Sequence, residues 1–142
     1  MILEDLDDIR ALLASSPTVA VVGASTKPHK AGYYVPAYLA EQGYRVIPIN
    51  PRLAGEMLHG ERVRASLAEV GPVDLVDVFR RPDQLPGHLE EWLATPPRAV
   101  WFQQGIRHDE VAQSLADAGI HVVQDRCTLA DHRRWGLGVP AR

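Results

Sequence analysis

The stretch Val19-Ala-Val-Val22-Gly23-Ala24-Ser25-Thr26-Lys27 decides how the rest of the sequence is interpreted. Its first four residues are all apolar, which is typical of a central strand in a parallel sheet covered on both faces. Gly23 then lets the backbone turn tightly, and the polar residues after it indicate a loop. This order predicts a buried strand whose carboxyl end opens into a polar loop.

Four more short runs of apolar residues follow this strand, with helical patterns between them. The helical segments place apolar residues three and four positions apart, as amphipathic helices do. Strands that alternate with helices indicate right-handed βαβ units. The sequence therefore predicts an α/β fold with a Rossmann-like, doubly wound, five-stranded parallel sheet and helices on both faces. The four further strands are predicted at Arg45–Ile49, Val73–Val78, Ala99–Phe102 and His121–Val123.

Two prolines constrain the boundaries of these elements. A helix tolerates proline in its first turn, so Pro36 predicts that the chain from Ala24 to Tyr33 is largely loop. Pro48 lacks the N–H that a central strand uses, which predicts that strand pairing is already ending there. The link from Asn50 to Pro72 is the least regular part of the sequence, and a short helix is predicted within it at Ala65 to Val70.

Length and composition exclude several classes of protein. The 142 residues fit one domain, expected to span 1–142, and the net charge of −3 argues against broad non-specific binding to nucleic acid. Cys127 is the single cysteine, and the six histidines show no metal-site spacing. No apolar stretch approaches the ~20 residues that cross a bilayer. Because Met1 to Asp8 also lacks the basic region of a signal peptide, we expect a cytoplasmic protein that binds neither membranes nor nucleic acid.

The loop after the first strand has the composition of an anion site. Ser25 and Thr26 offer hydroxyl groups, Lys27 and Lys30 add positive charge, and the following helix presents free backbone N–H groups. These features suit a phosphate or a pyrophosphate. An ordinary polar turn is the alternative, although the loop is longer than such turns usually are.

Neither of the two common nucleotide fingerprints is present. The loop has no glycine–lysine pair of the Walker A type, and Ser25 occupies the place of the second glycine in G-x-G-x-x-G. An NAD site also needs an acidic residue near the end of the second strand. Here the sequence reads Asn50-Pro51-Arg52 instead. A cation at that point favours an additional phosphate on the ribose, as in NADP or coenzyme A.

The third and fourth predicted strands also end in residues that suit a ligand. In Val78-Phe79-Arg80, the ring of Phe79 is suited to an adenine or an apolar ligand arm, and Arg80 to a phosphate. The alternative is a buried phenylalanine beside a solvated arginine. The amides and the glycine turn of Gln103-Gln104-Gly105-Ile106 suit the peptide-like groups of a pantetheine arm. An ordinary strand-to-helix turn fits the spacing of this segment equally well.

With these motifs, the sequence resembles the stand-alone CoA-binding domain proteins. That family is related to the N-terminal CoA-binding domain of the succinyl-CoA synthetase alpha subunit. The resemblance runs from about Thr18 to Arg134, and its specificity comes from the order and spacing of several segments. These segments are Val21–Ser25, Gly43–Pro51, Val73–Arg80, Val100–Arg107 and Asp125–Cys127, the last followed by His132.

The resemblance implies that coenzyme A is held across the carboxyl ends of the strands, with no chemistry assigned to the domain. By the same resemblance, Gly23–Lys27 would meet the diphosphate and Asn50–Arg52 the adenosine side. Val78–Arg80 would flank the nucleotide, and Gln103–Ile106 would contact the pantetheine. The ligand is then a small molecule, free CoA or an acyl-CoA, and the sequence indicates no particular protein partner.

The resemblance does not carry over ligase activity. The larger ligases have further domains with a phosphorylated histidine and a partner subunit, for which there is no room after the fifth predicted strand. We therefore expect a carrier or regulatory module rather than an enzyme. Two alternatives stay open: an NADP-dependent oxidoreductase, although no obvious Tyr/Lys proton-transfer pair is present, and an acyl-CoA enzyme whose catalytic residues the sequence does not identify.

Overall fold

A computed structural model describes residues 1–141 and contains one five-stranded parallel sheet. The strands are β1 (Thr18–Val22), β2 (Arg45–Ile49), β3 (Leu75–Val78), β4 (Ala99–Phe102) and β5 (His121–Val123). Their order in the sheet is β2-β1-β3-β4-β5. The chain therefore turns to the opposite side of β1 between β2 and β3. The predicted fold class is confirmed, and a topological switch point lies between β1 and β3.

Helices cover both faces of this sheet. They are α1 (Leu6–Ala14), α2 (Ala31–Glu41), α3 (Leu89–Ala94), α4 (Asp109–Asp117) and α5 (Thr128–Trp135). Val19 and Val21 of β1 belong to one apolar core with α1, α2 and α5, whereas Ala20 and Val22 belong to a second core with α3 and α4. This division explains why β1 is apolar at successive positions. No helix within residues 1–141 combines the length and the apolar composition that a membrane span needs.

Pro48 lies inside β2, so the prediction that strand pairing is ending there is wrong. It aligns with Val21 of β1, and the pairing continues to Ile49. The carbonyl of Pro48 accepts a hydrogen bond of 3.0 Å from the N–H of Arg64, on the side away from β1. Because N–H and C=O of one strand residue point the same way, the missing N–H costs no bond to β1. The edge position of β2 makes the proline acceptable.

Pro36 lies in the second turn of α2, so the prediction that it marks the first turn is also wrong. The helix begins at Ala31, and only the chain up to Lys30 is loop. A proline inside a helix frees the carbonyl four residues before it, here that of Gly32. That carbonyl accepts a hydrogen bond of 3.2 Å from the N–H of Ser25. The proline thus gives the loop after β1 an anchor on α2.

The irregular link between β2 and β3 closes one edge of the sheet. It contains 3-10 turns at Pro51–Leu53 and Leu67–Glu69, the second within the short helix predicted from Ala65 to Val70. Between them, Met57–Leu58 and Glu61–Arg62 form a two-stranded hairpin. At the opposite edge, the N–H of Leu3 donates to the carbonyl of Val122 at 2.8 Å. A further 3-10 helix, Pro82–His88, leads into α3.

Backbone segments approach one another closely at the switch point. A Cβ atom on Gly23 would lie 2.6 Å from the carbonyl oxygen of Phe79, just after β3. A Cβ atom on Gly32, in the first turn of α2, would lie 2.8 Å from the carbonyl oxygen of Gly23. Both glycines are therefore required by contact between main chains, and the φ of +86° at Gly23 adds a second requirement.

Gly23→Ala is expected to lower the free energy of unfolding by about 2–4 kcal/mol, because it combines a strained φ with a clash against backbone. Gly60→Ala is the matched control, since Gly60 has a φ of +82° with no atom within 4 Å of the added Cβ. The control should lose only about 1–2 kcal/mol. Urea unfolding of both variants measures the difference, and equal losses would show that the close approach to Phe79 costs nothing.

Candidate functional site

A cleft of about 710 Å³ opens at the carboxyl ends of β1, β3 and β4, beside the switch point. This is where ligands bind in open parallel sheets. The loop after β1, the first turn of α2 and the segments that follow β2, β3 and β4 form its walls. The lining residues are Gly23–Lys27, Lys30, Ala31, Gly32, Asn50, Arg52, Leu53, Phe79–Pro82 and Gln103–Ile106.

All but two of the site residues expected from the sequence line this one cleft. Val78 is instead fully buried at the end of β3, in the core that α3 and α4 cover. Pro51 borders a separate cavity of about 80 Å³ together with Arg80 and His88. Ala31 and Gly32 are not predicted from the sequence, because Pro36 in a first helical turn predicts a helix start further along the chain. Leu53, Arg81 and Pro82 are not predicted either, because the sequence holds no specific signal for them.

The loop after β1 is ordered by its own hydrogen bonds. The Ser25 hydroxyl oxygen accepts from the N–H of Lys27 at 3.1 Å, while the N–H of Ser25 is bonded to Gly32. Within residues 1–141, the N–H groups of Thr26, Ala31 and Gly32 donate to no protein acceptor. Lys30 precedes α2 without a capping side-chain bond. The amino end of α2 therefore faces the cleft with unused donors, which is the arrangement that binds anions.

The electrostatic character of the cleft is strongly positive. Its lining contains five cationic side chains and no carboxylate: Lys27, Lys30, Arg52, Arg80 and Arg81. Of these five side chains, only that of Arg81 makes an ion pair within residues 1–141, an exposed contact of 3.6 Å with Asp83. Arg80 donates through Nη2 to Gln84 at 2.9 Å, and its buried Nε has no partner within residues 1–141. Such a cleft attracts anionic ligands.

His88, behind Arg80, adds no positive charge near neutral pH. It stacks on Trp92 with ring centroids 5.4 Å apart. Burial, and then the neighbouring charge of Arg80, lower the pKa of His88. The positive charge of the cleft is therefore carried by its lysine and arginine side chains.

Asn50 connects the loop that follows β1 to the turn that follows β2. Its Nδ2 donates to the carbonyl of Ala24 at 2.9 Å, and its Oδ1 accepts from the N–H of Arg52 at 2.9 Å. Both ends of the amide are thus bonded within the protein. Asn50 fixes the turn that carries Arg52, whose exposed side chain extends along the cleft.

Gln103 belongs to a buried polar cluster beneath the cleft. Its Nε2 donates to Asp77 Oδ1 at 2.5 Å and to Thr128 Oγ1 at 2.8 Å. Thr128 Oγ1 donates in turn to Asp77 Oδ2 at 3.0 Å. Burial raises the pKa of Asp77 to about 7, although the hydrogen bonds from Gln103 and Thr128 act to lower it. Sequence reasoning gave no reason to bring Asp77 and Thr128 to this site, because they are distant in the chain.

The segment after β5 supports the cleft without lining it. Asp125 Oδ1 accepts from the N–H of Gly105 at 2.6 Å, which fixes the turn after β4. The Arg126 guanidinium binds both oxygens of Asp131, at 2.7 and 2.8 Å. Cys127 is half-buried and packs against the core of α1, α2 and α5. These residues are structural supports of the β4 and β5 ends.

His132 is a core residue and lies apart from the cleft. Its Nε2 is 2.7 Å from the carbonyl of Gly138, which can only accept, so Nε2 carries the proton. The Tyr38 hydroxyl then donates to Nδ1 at 2.8 Å. Within residues 1–141, no group of three or more His, Cys, Asp or Glu side chains is placed to hold a metal ion.

Known proteins with similar sequences and structures agree with this description. A family model described as the CoA binding domain matches residues 17–133. The chain is 38% identical over 126 residues to the uncharacterized protein YneT of Bacillus subtilis (strain 168), covering 88% of this chain and 92% of that protein.

Two solved structures extend the likeness to the whole fold. Cell-free ID.343 from Thermus thermophilus is 50% identical, with a TM-score of 0.89 over 92% of this chain and 98% of that one. A hypothetical protein from Pyrococcus horikoshii OT3 is 31% identical, with a TM-score of 0.85 over 92% of each chain.

The stability of the protein is expected to fall as the pH rises from about 4 to about 7. Over this interval folded Asp77 keeps a proton that the unfolded chain has released, because its pKa is raised from 3.8 to about 7. The free energy of unfolding should fall by up to about 1.4 kcal/mol per pH unit from this group. Asp77→Asn should remove that slope in urea unfolding, and exposed Asp8→Asn should keep it. Parallel curves for wild type and Asp77→Asn would contradict the assignment.

Proposed function

This chain belongs to the CoA binding domain family, and from that membership we propose that its cleft binds coenzyme A or an acyl-CoA as a carrier or regulatory module. The ligand would lie across the carboxyl ends of β1, β3 and β4. One observation carries the proposal: the cleft at the switch point is lined by five cations and no carboxylate. CoA is an anion with phosphates at two separate places, and it needs positive charge along an extended site.

The diphosphate of CoA would bind at the amino end of α2. The N–H groups of Ala31 and Gly32 are unused there, and the exposed side chains of Lys27 and Lys30 stand beside them. Backbone donors at a helix start, reinforced by lysines, are a general solution for phosphate binding.

The ribose phosphate of CoA would bind to Arg52. Asn50 holds the turn that carries Arg52. The Arg52 side chain makes no ion pair within residues 1–141. Val78 is left out of the proposed contacts because its side chain is buried in the core. Phe79 and Arg80 line the cleft, so in this proposal these two residues alone flank the nucleotide.

The pantetheine arm would lie along the end of β4. Gln103–Ile106 line that side of the cleft, and it contains neutral amides rather than charges. Neutral donors and acceptors match the amide groups of pantetheine. The cleft volume of about 710 Å³ is within the range of ~300–1,000 Å³ usual for small-molecule sites.

CoA is expected to stabilise the folded protein, because a ligand that binds only the folded state adds RT ln(1 + [L]/Kd) to its stability. At a hundred times Kd this amounts to about 2.7 kcal/mol, which a thermal-shift assay detects as a rise in Tm. NADP, which also carries a ribose phosphate, is the comparison ligand. Stabilisation by NADP but not by CoA would overturn the proposal in favour of a dinucleotide site. Turnover of acetyl-CoA would contradict the assignment as a carrier or regulatory module.

Arg52→Ala is expected to weaken CoA binding by about 1.5–3 kcal/mol, the usual contribution of a hydrogen bond to a charged group. Dephospho-CoA lacks the ribose phosphate, so its affinity should change much less. Arg10→Ala, which removes an exposed arginine of α1 outside the cleft, is the matched control and should bind both ligands as wild type does. Calorimetry measures all three proteins, and equal losses for both ligands in Arg52→Ala would show that Arg52 does not contact that phosphate.

A further inference from the structure

Asp77 is a buried carboxyl group directly beneath the cleft. It lies one residue before the end of β3 and aligns with Val21 of β1 and Trp101 of β4. Within residues 1–141 it makes no ion pair, and its side chain accepts hydrogen bonds only from Gln103 and Thr128. A buried carboxyl group without a paired cation is energetically costly. The role of Asp77 is therefore inferred from the two residues that donate hydrogen bonds to it.

The hydrogen bonds of Asp77 determine how the amide of Gln103 is turned. Above its pKa of about 7, Asp77 is a carboxylate whose oxygens accept and cannot donate, so the atom of Gln103 that faces Asp77 Oδ1 has to be Nε2. The second hydrogen of Nε2 is directed to Thr128 Oγ1 at 2.8 Å. Both N–H bonds of the amide therefore point into the core. Oε1 has to point the other way.

Oε1 of Gln103 is open to the cleft. Gln103 lines the cleft, and Oε1 accepts no hydrogen bond from residues 1–141. The buried side-chain atoms without partners belong to other residues, so Oε1 is not sealed in the core. The backbone of Gln103 is already bonded, since its N–H donates to Val78 and its carbonyl accepts from Ile106. Oε1 is thus the acceptor that Gln103 has left for a ligand.

We propose that Asp77 is a positioning residue that holds Gln103 with Oε1 toward the cleft, where it accepts a hydrogen bond from an amide N–H or the thiol of the bound ligand. This inference rests on the proposed function and adds a specificity to it. The end of β4 then selects a ligand arm that carries a donor. Asp77 acts through Gln103 and does not itself touch the ligand.

A double-mutant cycle measured by calorimetry with CoA at about pH 8, where Asp77 is mostly ionised, tests this role. Gln103→Leu should weaken CoA about five- to tenfold, the value of one hydrogen bond. In Asp77→Asn the new amide can either accept from or donate to Gln103, so both orientations of Gln103 become available and CoA should bind two- to tenfold more weakly. The double variant should bind as Gln103→Leu alone does. Unchanged affinity in Asp77→Asn, or losses that multiply in the double variant, would overturn the proposal.

Ser16→Ala is the matched control for general loosening of the protein. Ser16 is another buried polar residue, but it lies before β1 at the opposite end of the sheet, where its hydroxyl donates to Leu12 at 2.6 Å. CoA should bind this variant as it binds wild type. A comparable loss of affinity in Ser16→Ala would attribute the effect of Asp77→Asn to stability and overturn the positioning role.

Acetyl-CoA distinguishes the two possible donors, because it lacks the S–H group. If Asp77→Asn weakens acetyl-CoA and CoA equally, the donor is an amide N–H of the pantetheine arm. If only CoA is weakened, the donor is the thiol. Either result supports the positioning role, whereas no effect on either ligand overturns it.

Hydrogen exchange in the unliganded wild-type protein tests the positioning role of Asp77 separately from CoA binding. It also requires no variant to fold. In the ¹⁵N spectrum of the unliganded wild-type protein, the Gln103 side-chain amide should exchange slowly with water, because both its hydrogens are bonded in the core. Fast exchange would overturn the positioning role whether or not CoA binds. Failure of the wild type to bind CoA would instead overturn the proposed function, and with it the ligand assigned to Oε1.

Discussion

At the centre of the fold, the main chain of Gly23 lies so close to the carbonyl of Phe79 that no side-chain carbon fits between them. The main chain of Gly32 meets the carbonyl of Gly23 in the same way. The end of β1, the end of β3 and the first turn of α2 are therefore joined as bare backbone. This contact brings the helix start to the sheet and leaves its N–H groups uncovered. The position of the cleft and its capacity for an anion both depend on it.

The charges around this contact are arranged in two layers. Four exposed side chains stand in front of it, where they cost little to maintain because water reaches them: Lys27, Lys30, Arg52 and Arg81. The carboxyl group of Asp77 lies behind it, where burial keeps its pKa near neutrality and only neutral partners contact it. The neutral amide of Gln103 separates the two layers.

Periodicity determined most of what could be predicted from the sequence. The bounds of β2, β4 and β5 agree with the apolar runs, because parallel strands covered on both faces have an unambiguous signature. The prolines misled the prediction because their cost depends on tertiary context: Pro48 is on an edge, and the carbonyl that Pro36 frees finds a partner in Ser25. Most residues of the cleft follow from knowing where strands end, which is a property of topology. The link between Asp77, Gln103 and Thr128 could not be predicted, since it joins side chains from three elements and leaves no local pattern.

The closed edges of the sheet have a consequence for how this chain behaves among copies of itself. An exposed edge strand offers a row of N–H and C=O groups to any other extended chain, and it is a common starting point for aggregation. Here the outer side of β2 is occupied at Pro48 and Asn50 by Arg64, and the outer side of β5 is bonded at Val122 to Met1 and Leu3. Part of each row is thus satisfied within one molecule. The edges of this sheet therefore leave fewer backbone groups free to pair with extended segments of neighbouring molecules.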